Sequence, residues 1–337
     1  MEDGVVEDGQ DLGRVPGFGA VDQAYPCGGT CGHQSLRNDP GIFSSRSRGC
    51  QSAPAGKLLL CSGLTFLRCR PMPQPRGVDA QDRIAQLPDT PVPAPFDCLL
   101  KTAGDTLQQA LGPSIHSLYV YGSVARGTAR VGQSDLDLCL LLHTPATPAQ
   151  QAQIDALRAD LQTRCAGIVT KVDIDLGDAA TALAPAHRLS WGYWLKHHCR
   201  CIAGPDLAAR IAPFTPSRDI ALAVNEGYDA ALRSLATRIR RAGGDAALQK
   251  QAARQWIRAT HILCAGDEPG WPQTLQDYAD HCRRSHPALA AGLSFMLAQA
   301  DTPDAPAESF ARTLEGLLDT MQTLQAQQRR NAGARSP

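Results

Sequence analysis

The sequence has no excess of charge of either sign. Its 337 residues include 33 basic and 33 acidic side chains, so the formal net charge is zero. Proteins that grip a long nucleic acid usually carry a basic surface, and the balance therefore argues against RNA or DNA as the main partner. It does not exclude a small anionic ligand that a few local cations hold.

The sequence also has no apolar run near the ~20 residues that are needed to cross a bilayer. Its longest run, around Leu138 to Leu142, has the length of a strand. The first ten residues are acidic and lack the basic-then-apolar order of a secretory signal. We therefore expect a cytoplasmic protein with no membrane partner. In that compartment the cysteines from Cys98 onward are expected to be small buried thiols.

Methionine is scarce, and Met1 is the only methionine before Met72. Residues 1–78 are rich in Gly, Ser, Arg and Cys and show little periodicity, so we expect a disordered extension there. An ordinary domain sequence begins soon after Met72, which is our expected native start. Cys27, Cys31 and His33 could form half of a zinc motif, but the second pair of ligands is missing. We therefore interpret these upstream thiols as unstructured.

Hydrophobic periodicity divides the rest of the chain in two. Residues 79–212 mix helical patterns with short β-rich runs, whereas residues 213–328 hold long helical patterns separated by Gly and Pro. We predict an α+β domain followed by an all-α helical bundle, with 329–337 as a disordered tail. The predicted strands are 115–121, 135–142 and 168–176. The predicted helices are 96–111, 124–129, 148–165, 187–199, 218–241, 246–265, 272–284, 287–299 and 306–327.

The most informative stretch is YGSVARGTARVGQSDLDLCLLL, from Tyr121 to Leu142. Gly122 and Ser123 stand where a predicted strand gives way to a helix. Backbone N–H groups at such a point attract phosphate, and glycine lets the phosphate come close to the backbone. The Ser123 hydroxyl can add one more donor. A Gly-Ser pair after a strand is common, so this feature alone indicates little.

Two acidic pairs strengthen it. Asp135 and Asp137 lie two residues apart in the second predicted strand, so both project from one face. Adjacent carboxylates repel unless a cation lies between them, and Mg²⁺ suits oxygen ligands that are shared with phosphates. Asp173 and Asp175 repeat the pattern in the third strand. Three carboxylates can hold two metal ions about 4 Å apart for an in-line displacement. The alternative, solvated acids on a polar face, does not explain the Gly-Ser pair at the right distance.

GSVARG followed by SDLDL resembles the GSxARG and SDxDL signature of the DNA-polymerase-β-like nucleotidyltransferases. The minimal nucleotidyltransferases and the streptomycin/spectinomycin-type aminoglycoside adenylyltransferases are the members it resembles most. The likeness is strong over 115–142 and extends to about residue 207, although the loop from Thr128 to Ser134 is one residue longer than the pattern. The resemblance implies a mixed sheet with flanking helices, ATP as co-substrate and two Mg²⁺ ions.

The resemblance also implies a role for each matching residue. Asp173 is the implied third carboxylate because it opens its strand, and Asp175 is the alternative, since periodicity cannot separate two residues of one face. Arg126 would lie near the phosphates or the acceptor, with a surface charge as the alternative. The remaining roles are phosphate binding by Gly122 and Ser123 and metal binding by Asp135, Asp137 and Asp173.

The helical half contributes a row of cations. Lys250, Arg254 and Arg258 follow at intervals of four residues, which places them on one helix face. We predict that Lys250 and Arg254 bind the nucleotide across a cleft; a solvated helix face is the alternative. The large aromatic residues of this half are expected in the core rather than against a base: Trp256, Trp271 and Tyr278.

These features predict a metal-dependent nucleotidyltransferase, most simply an adenylyltransferase. It would transfer a nucleoside monophosphate, AMP from ATP, to a hydroxyl of a small-molecule acceptor and release pyrophosphate. The resemblance adds an aminoglycoside-type antibiotic as a candidate acceptor. The alternatives are nucleotidylylation of a protein partner, as in toxin–antitoxin pairs, and a non-catalytic nucleotide-binding module. The second is disfavoured because an inactive copy has no reason to keep two repelling carboxylates.

Overall fold

The computed structural model describes residues 76–266 and 269–333. All of these residues belong to one compact unit. The expected extension falls almost wholly outside them, as does Met72.

The described residues form one mixed sheet of four strands, of which three were predicted. The strands are β1 (Ile115–Tyr121), β2 (Leu136–Leu142), β3 (Val172–Asp178) and β4 (Arg200–Ala203). Their order is β3-β2-β1-β4. β1 is antiparallel to both β2 and β4, whereas β2 and β3 are parallel. β4 escaped prediction because four residues at a sheet edge are too few to show a period.

Helices flank the sheet and then make up the rest of the described chain. Those of the sheet domain are α1 (Ala94–Leu111), α2 (Gly122–Ala125), α3 (Pro148–Arg164), α4 (Ala179–Leu183) and α5 (Tyr193–His198). Those that follow are α6 (Arg218–Val224), α7 (Tyr228–Arg241), α8 (Ala246–Ala259), α9 (His261–Cys264), α10 (Leu275–Ser285), α11 (Ala290–Asp301) and α12 (Ala307–Gly333). The predicted α+β domain followed by an all-α region is thereby confirmed.

Local signals set several helix ends. Asp245 accepts hydrogen bonds from two backbone N–H groups of the first turn of α8, and Thr147 forms a capping box with Gln150 on α3. The predicted helix over 218–241 is instead two helices. Gly227 has a φ of +70° between them, and a left-handed residue cannot continue a right-handed helix.

Alternation along the strands gives the sheet two different faces. One face packs against α1 and α3 and is aliphatic, and it includes Leu136, Leu138, Leu140 and Leu142 of β2. The opposite face carries the aromatic and sulfur side chains of Tyr119, Tyr121 and Cys139, and it packs against α4 and α5, whose Trp194 belongs to the same buried cluster. Asp137 shares that second face because it is two residues from Cys139.

A third buried cluster joins the sheet domain to the helical half. It includes Tyr193 of α5 and Trp271, which precedes α10. The Trp271 indole N–H donates a hydrogen bond to the Tyr193 hydroxyl oxygen at 2.7 Å. This contact fixes the helical half beside the sheet face that carries Asp137. Among the described helices, none combines the length and the apolar character needed to cross a membrane.

Candidate active site

The turn from β1 into α2 lies directly against a carboxylate. Gly122 has a φ of +72°, in the left-handed region that favours glycine. A Cβ atom added at this position would overlap Oδ2 of Asp137. Both the backbone conformation and the lack of space therefore require glycine. The next residue, Ser123, is 9% exposed and lies in the first turn of α2.

Asp137 is the central carboxylate of the site. It pairs in register with Tyr121 on one side and with Asp173 on the other, and only 1% of its surface is exposed. Neither of its carboxylate oxygens has a hydrogen-bond partner within the described ranges. Burial raises the pKa of Asp137 well above the ordinary range, and the charges of Asp135, Asp173 and Asp175 raise it further. Such a group is costly to bury unless a cation pairs with it.

Asp135 precedes β2 and is half-buried. Its Oδ1 accepts a hydrogen bond from the Thr170 hydroxyl, which holds the side chain in place. Among the neighbouring charges, Asp135 has the largest effect on the pKa of Asp137. The structure thus brings the two predicted metal ligands into electrostatic contact.

The third strand places both candidate carboxylates on the same face. Asp173 lies opposite Asp137 in the register and forms an ion pair of 2.7 Å with Lys171. Asp175 lies opposite Cys139, one step further along, and accepts a 2.6 Å hydrogen bond from the Tyr121 hydroxyl. Burial raises the pKa of Asp175 to about 6. Each of the two acids therefore has one protein partner, and Asp173 is the one that lies directly opposite Asp137.

Arg126 of the sheet domain and Arg258 of the helical half are linked electrostatically, and Arg126 also acts on Asp137. Arg126 caps the C-terminus of α2, and its charge lowers the pKa of Asp137 against the other effects. Burial lowers the pKa of Arg258, on α8, to about 10; Tyr278 acts against this shift, and the charge of Arg126 acts in the same direction as burial. Burial, followed by the charges of His197 and of these two arginines, lowers the pKa of His198 to about 3. Arg258 therefore lies within electrostatic reach of Arg126, and Arg126 lies within electrostatic reach of Asp137.

The predicted row of cations lies on α8, and its last member, Arg258, is the one that approaches Arg126. Arg254 and Arg258 are 8% and 6% exposed, so the row is not a solvated face. Burial and then the charge of Arg258 lower the pKa of Arg254 to about 10, while Asp301 raises it. At 1.5 Å per residue, Arg254 and Lys250 lie about 6 Å and about 12 Å back along the helix from Arg258.

The predicted aromatic residues of the helical half pack in the interior. Trp256 is fully buried in the core of that half, and Trp271 is 3% exposed in the cluster that joins the halves. Tyr278 packs edge-on against His261, with ring centroids 5.3 Å apart. Trp256 and Trp271 are therefore core residues, and Tyr278 is partly buried against the core that holds Trp256.

Sequence reasoning did not identify three side chains that bind the carboxylates: Tyr121, Thr170 and Lys171. Tyr121 could have been found, because alternation places it on one face with Tyr119, and an antiparallel partner strand brings that face to Asp137. Thr170 and Lys171 come from the loop before β3. Their contacts depend on loop conformation, for which the sequence holds no periodic signal.

Comparisons with known proteins agree with the motif. Residues 101–176 match the family model of the nucleotidyltransferase domain, a range that spans β1, β2 and both pairs of acids. This match confirms the resemblance predicted from GSVARG and SDLDL. A search of the curated proteins finds no match. Among solved structures, the chain is similar to the spectinomycin adenyltransferase AAD(9) from Enterococcus faecialis, crystallised with ATP and spectinomycin. The identity is 12% and the TM-score 0.47, over 67% of this chain and 99% of that chain.

Proposed function

We propose that this protein is a metal-dependent adenylyltransferase that transfers AMP from ATP to a hydroxyl of a small-molecule acceptor, in the cytoplasm, and releases pyrophosphate. The observation that carries the proposal is Asp137. Its carboxylate is buried against Gly122, lacks a hydrogen-bond partner among the described residues, and lies beside further carboxylates of β3. A site of this kind is unfavourable by itself and becomes favourable when a divalent cation binds.

Mg²⁺ fits the donor set of this site. The set consists of carboxylate oxygens, which are the ligands that Mg²⁺ prefers and shares with substrate phosphates. We propose two metal ions, held by Asp135, Asp137 and Asp173. Asp175 is the alternative third ligand. When bound, the metal would neutralise charge on the triphosphate and make the acceptor hydroxyl easier to deprotonate.

The protein's own groups bind and orient the reactants. Gly122 lets a phosphate approach the backbone, and the Ser123 hydroxyl donates to it. Arg126 and Arg258 bind phosphate oxygens, which offsets the repulsion between their two charges. We add Arg258 to the predicted nucleotide-binding residues Lys250 and Arg254 because Arg258 lies nearest to Arg126.

The chemical step is an in-line displacement at the α-phosphorus. Asp173 accepts the proton of the acceptor hydroxyl, and the oxygen attacks the phosphorus. The bond to the β-phosphate oxygen breaks on the opposite side, and pyrophosphate leaves with the electron pair. Positioning and neutralisation of charge supply most of the rate enhancement in such a reaction.

The acceptor would lie between the sheet and the helical half. The hydrogen bond from Trp271 to Tyr193 holds these parts of the described chain side by side. A helical wall that already belongs to the chain supports a small acceptor, since no partner protein is needed to close that side. An aminoglycoside-type antibiotic is our first candidate, on the resemblance of the motif.

The test uses the full-length protein with Mg²⁺ and ATP labelled at the α-phosphate. The protein is incubated with a panel of aminoglycosides and aminocyclitols, and the products are separated. Label on a small molecule, lost in Asp137→Asn, is the expected result. Label on a protein from a cell extract would favour a protein acceptor instead. If calorimetry detects no nucleotide binding with or without Mg²⁺, the proposal is wrong.

A further inference from the structure

A second group of potential metal-binding side chains lies in the helical half. It shares no residue with the acid cluster, which consists of Asp135, Asp137, Asp173 and Asp175. His261 and Cys264 belong to α9, and His281 belongs to α10. One potential ligand atom from each of the three lies within 4.8 Å of the other two. All three residues are buried. Their donors are nitrogen and sulfur, whereas those of the acid cluster are oxygen.

The local structure explains why these side chains meet. His261 and Cys264 are three residues apart on one helical turn and therefore share a face. The start of α10 is fixed by a capping box in which Thr274 accepts from the Asp277 N–H and Asp277 accepts from the Thr274 N–H. With its start fixed, α10 presents His281 to the shared face of α9, where the two imidazole centroids are 5.5 Å apart.

The imidazole of His261 has little polar contact for a buried group. Its residue is 2% exposed, and Nε2 has no hydrogen-bond partner among residues 76–266 and 269–333. Its Nδ1 lies 3.9 Å from Cys264 Sγ, a weak contact. Buried polar atoms in native proteins usually have a partner, so this ring calls for a ligand.

A second sulfur adjoins the cluster. Cys282 follows His281 on α10, is fully buried, and shares a side-chain hydrogen bond with Cys264. Its thiol is therefore close enough to Cys264 to serve as a fourth donor after a small side-chain rotation. Two imidazoles and two thiols form a common donor set of tetrahedral zinc sites.

We propose that His261, Cys264 and His281 bind one Zn²⁺ ion, with Cys282 as the fourth donor. With zinc–nitrogen and zinc–sulfur bonds of about 2.0–2.3 Å, tetrahedral ligand atoms are roughly 3.3–3.8 Å apart. The present separations, up to 4.8 Å, need inward shifts of less than about 1 Å. Nitrogen and sulfur donors select zinc over Mg²⁺, which prefers oxygen.

The ion would tie α9 to α10 and support the wall beside the candidate active site. The His261 ring packs edge-on against Trp271, with centroids 4.6 Å apart, and Trp271 donates to Tyr193 of the sheet domain. The zinc proposal does not depend on the proposed function, because its ligands are separate and its readouts are metal content and spectra.

The experiment uses the full-length protein in a Cys27→Ser/Cys31→Ser background, because these two cysteines lie outside the described residues and could bind metal themselves. The protein is stripped with a chelator, loaded with Zn²⁺ or Co²⁺ and freed of excess metal. We expect one zinc per chain by elemental analysis. The cobalt form should show the visible bands of a tetrahedral ion and a sulfur-to-cobalt charge-transfer band, which cobalt bound to carboxylates alone would lack.

Ligand variants then locate the ion. Cys264→Ser should abolish the charge-transfer band or greatly weaken it, and His261→Gln should lower zinc affinity by more than about 100-fold, since even outer-shell partners are worth 10–100-fold. Cys165→Ser, at a buried cysteine of the sheet domain, is the matched control and should keep both signals. If a ligand variant folds poorly, Zn²⁺ should still raise the melting temperature of the parent and not of that variant. Absence of bound zinc in the parent, or a band that survives both ligand variants, would overturn the proposal.

Discussion

The two clusters of potential metal ligands differ in how the chain assembles them. In the acid cluster, each strand supplies two carboxylates at a spacing of two residues, and the register of β2 and β3 places the pairs side by side. In the proposed zinc cluster, one turn of α9 supplies His261 and Cys264, and a separate helix, α10, supplies His281. A strand face follows from residue alternation, whereas a contact between helices follows from packing. The acid cluster was therefore predictable, and the zinc cluster was not.

The clusters also differ in charge, which gives them opposite expected responses to mutation. The acid cluster repels itself, so its residues should reduce stability, and in the proposed function they are needed for turnover. The three residues of the zinc cluster, His261, Cys264 and His281, are buried in the helical half, so they should support stability more than turnover. Each experiment below compares variants within one half of the described chain or between its two halves.

The largest effect is expected for Asp137→Asn. Loss of the central metal ligand should reduce AMP transfer by about 10³-fold, equivalent to about 4 kcal/mol. Without metal, the melting temperature should stay unchanged or rise by up to about 4 °C, because a buried charge is removed. Rates and thermal melts of the purified variant test both. Asp155→Asn, at an exposed acid of α3, should change neither. A variant that has a lower melting temperature but keeps the wild-type rate of AMP transfer would contradict the metal role.

The third carboxylate is the next contrast. Asp173→Asn should lower kcat by about 10²-fold through loss of the proton acceptor. Asp175→Asn should cost at most about tenfold, because Asp175 mainly holds the Tyr121 hydroxyl. The two variants are compared at saturating ATP and Mg²⁺. The reverse ranking would make Asp175 the third carboxylate.

The cation row of the helical half should show a gradient. Arg258→Gln should raise the KM for ATP by about 10–100-fold, the value of a hydrogen bond to a charged phosphate. The same change at Arg254 and then at Lys250 should have progressively smaller effects, as these residues lie farther from Arg126. Initial rates over a range of ATP concentrations measure this. Equal effects at all three positions would mean that the triphosphate lies along α8 instead.

The smallest contrast concerns two glycines in the left-handed region. Gly243→Ala, in the helical half, should cost about 1–3 kcal/mol of unfolding free energy through its φ of +66° alone, since a Cβ there meets nothing within 4 Å. Gly122→Ala should cost about 1–3 kcal/mol more, because its Cβ also displaces the Asp137 carboxylate. Denaturant melts give both values, and equal losses would mean that Asp137 moves aside freely.

The sequence predicts this molecule best where period and composition decide the structure. The strand over Ile115–Tyr121 was predicted to the residue, and the leucines of β2 point to the core as expected. The segment after His187 was less predictable: a predicted helix there begins with a π-helical turn, Arg188–Gly192, set by packing of Trp191 and Trp194. The partners of Asp135 and Asp173 come from a loop, and His281 reaches α9 through helix packing, so neither is visible in a linear pattern.

The most direct test of the central claim is to locate the metal itself. Crystals of the full-length protein grown with Mn²⁺ and a non-hydrolysable ATP analogue would show manganese by its anomalous scattering. We expect an ion bound by Asp135 and Asp137, bridging to the triphosphate beside Gly122. A nucleotide bound elsewhere, or manganese that leaves both carboxylates without an ion, would contradict the account.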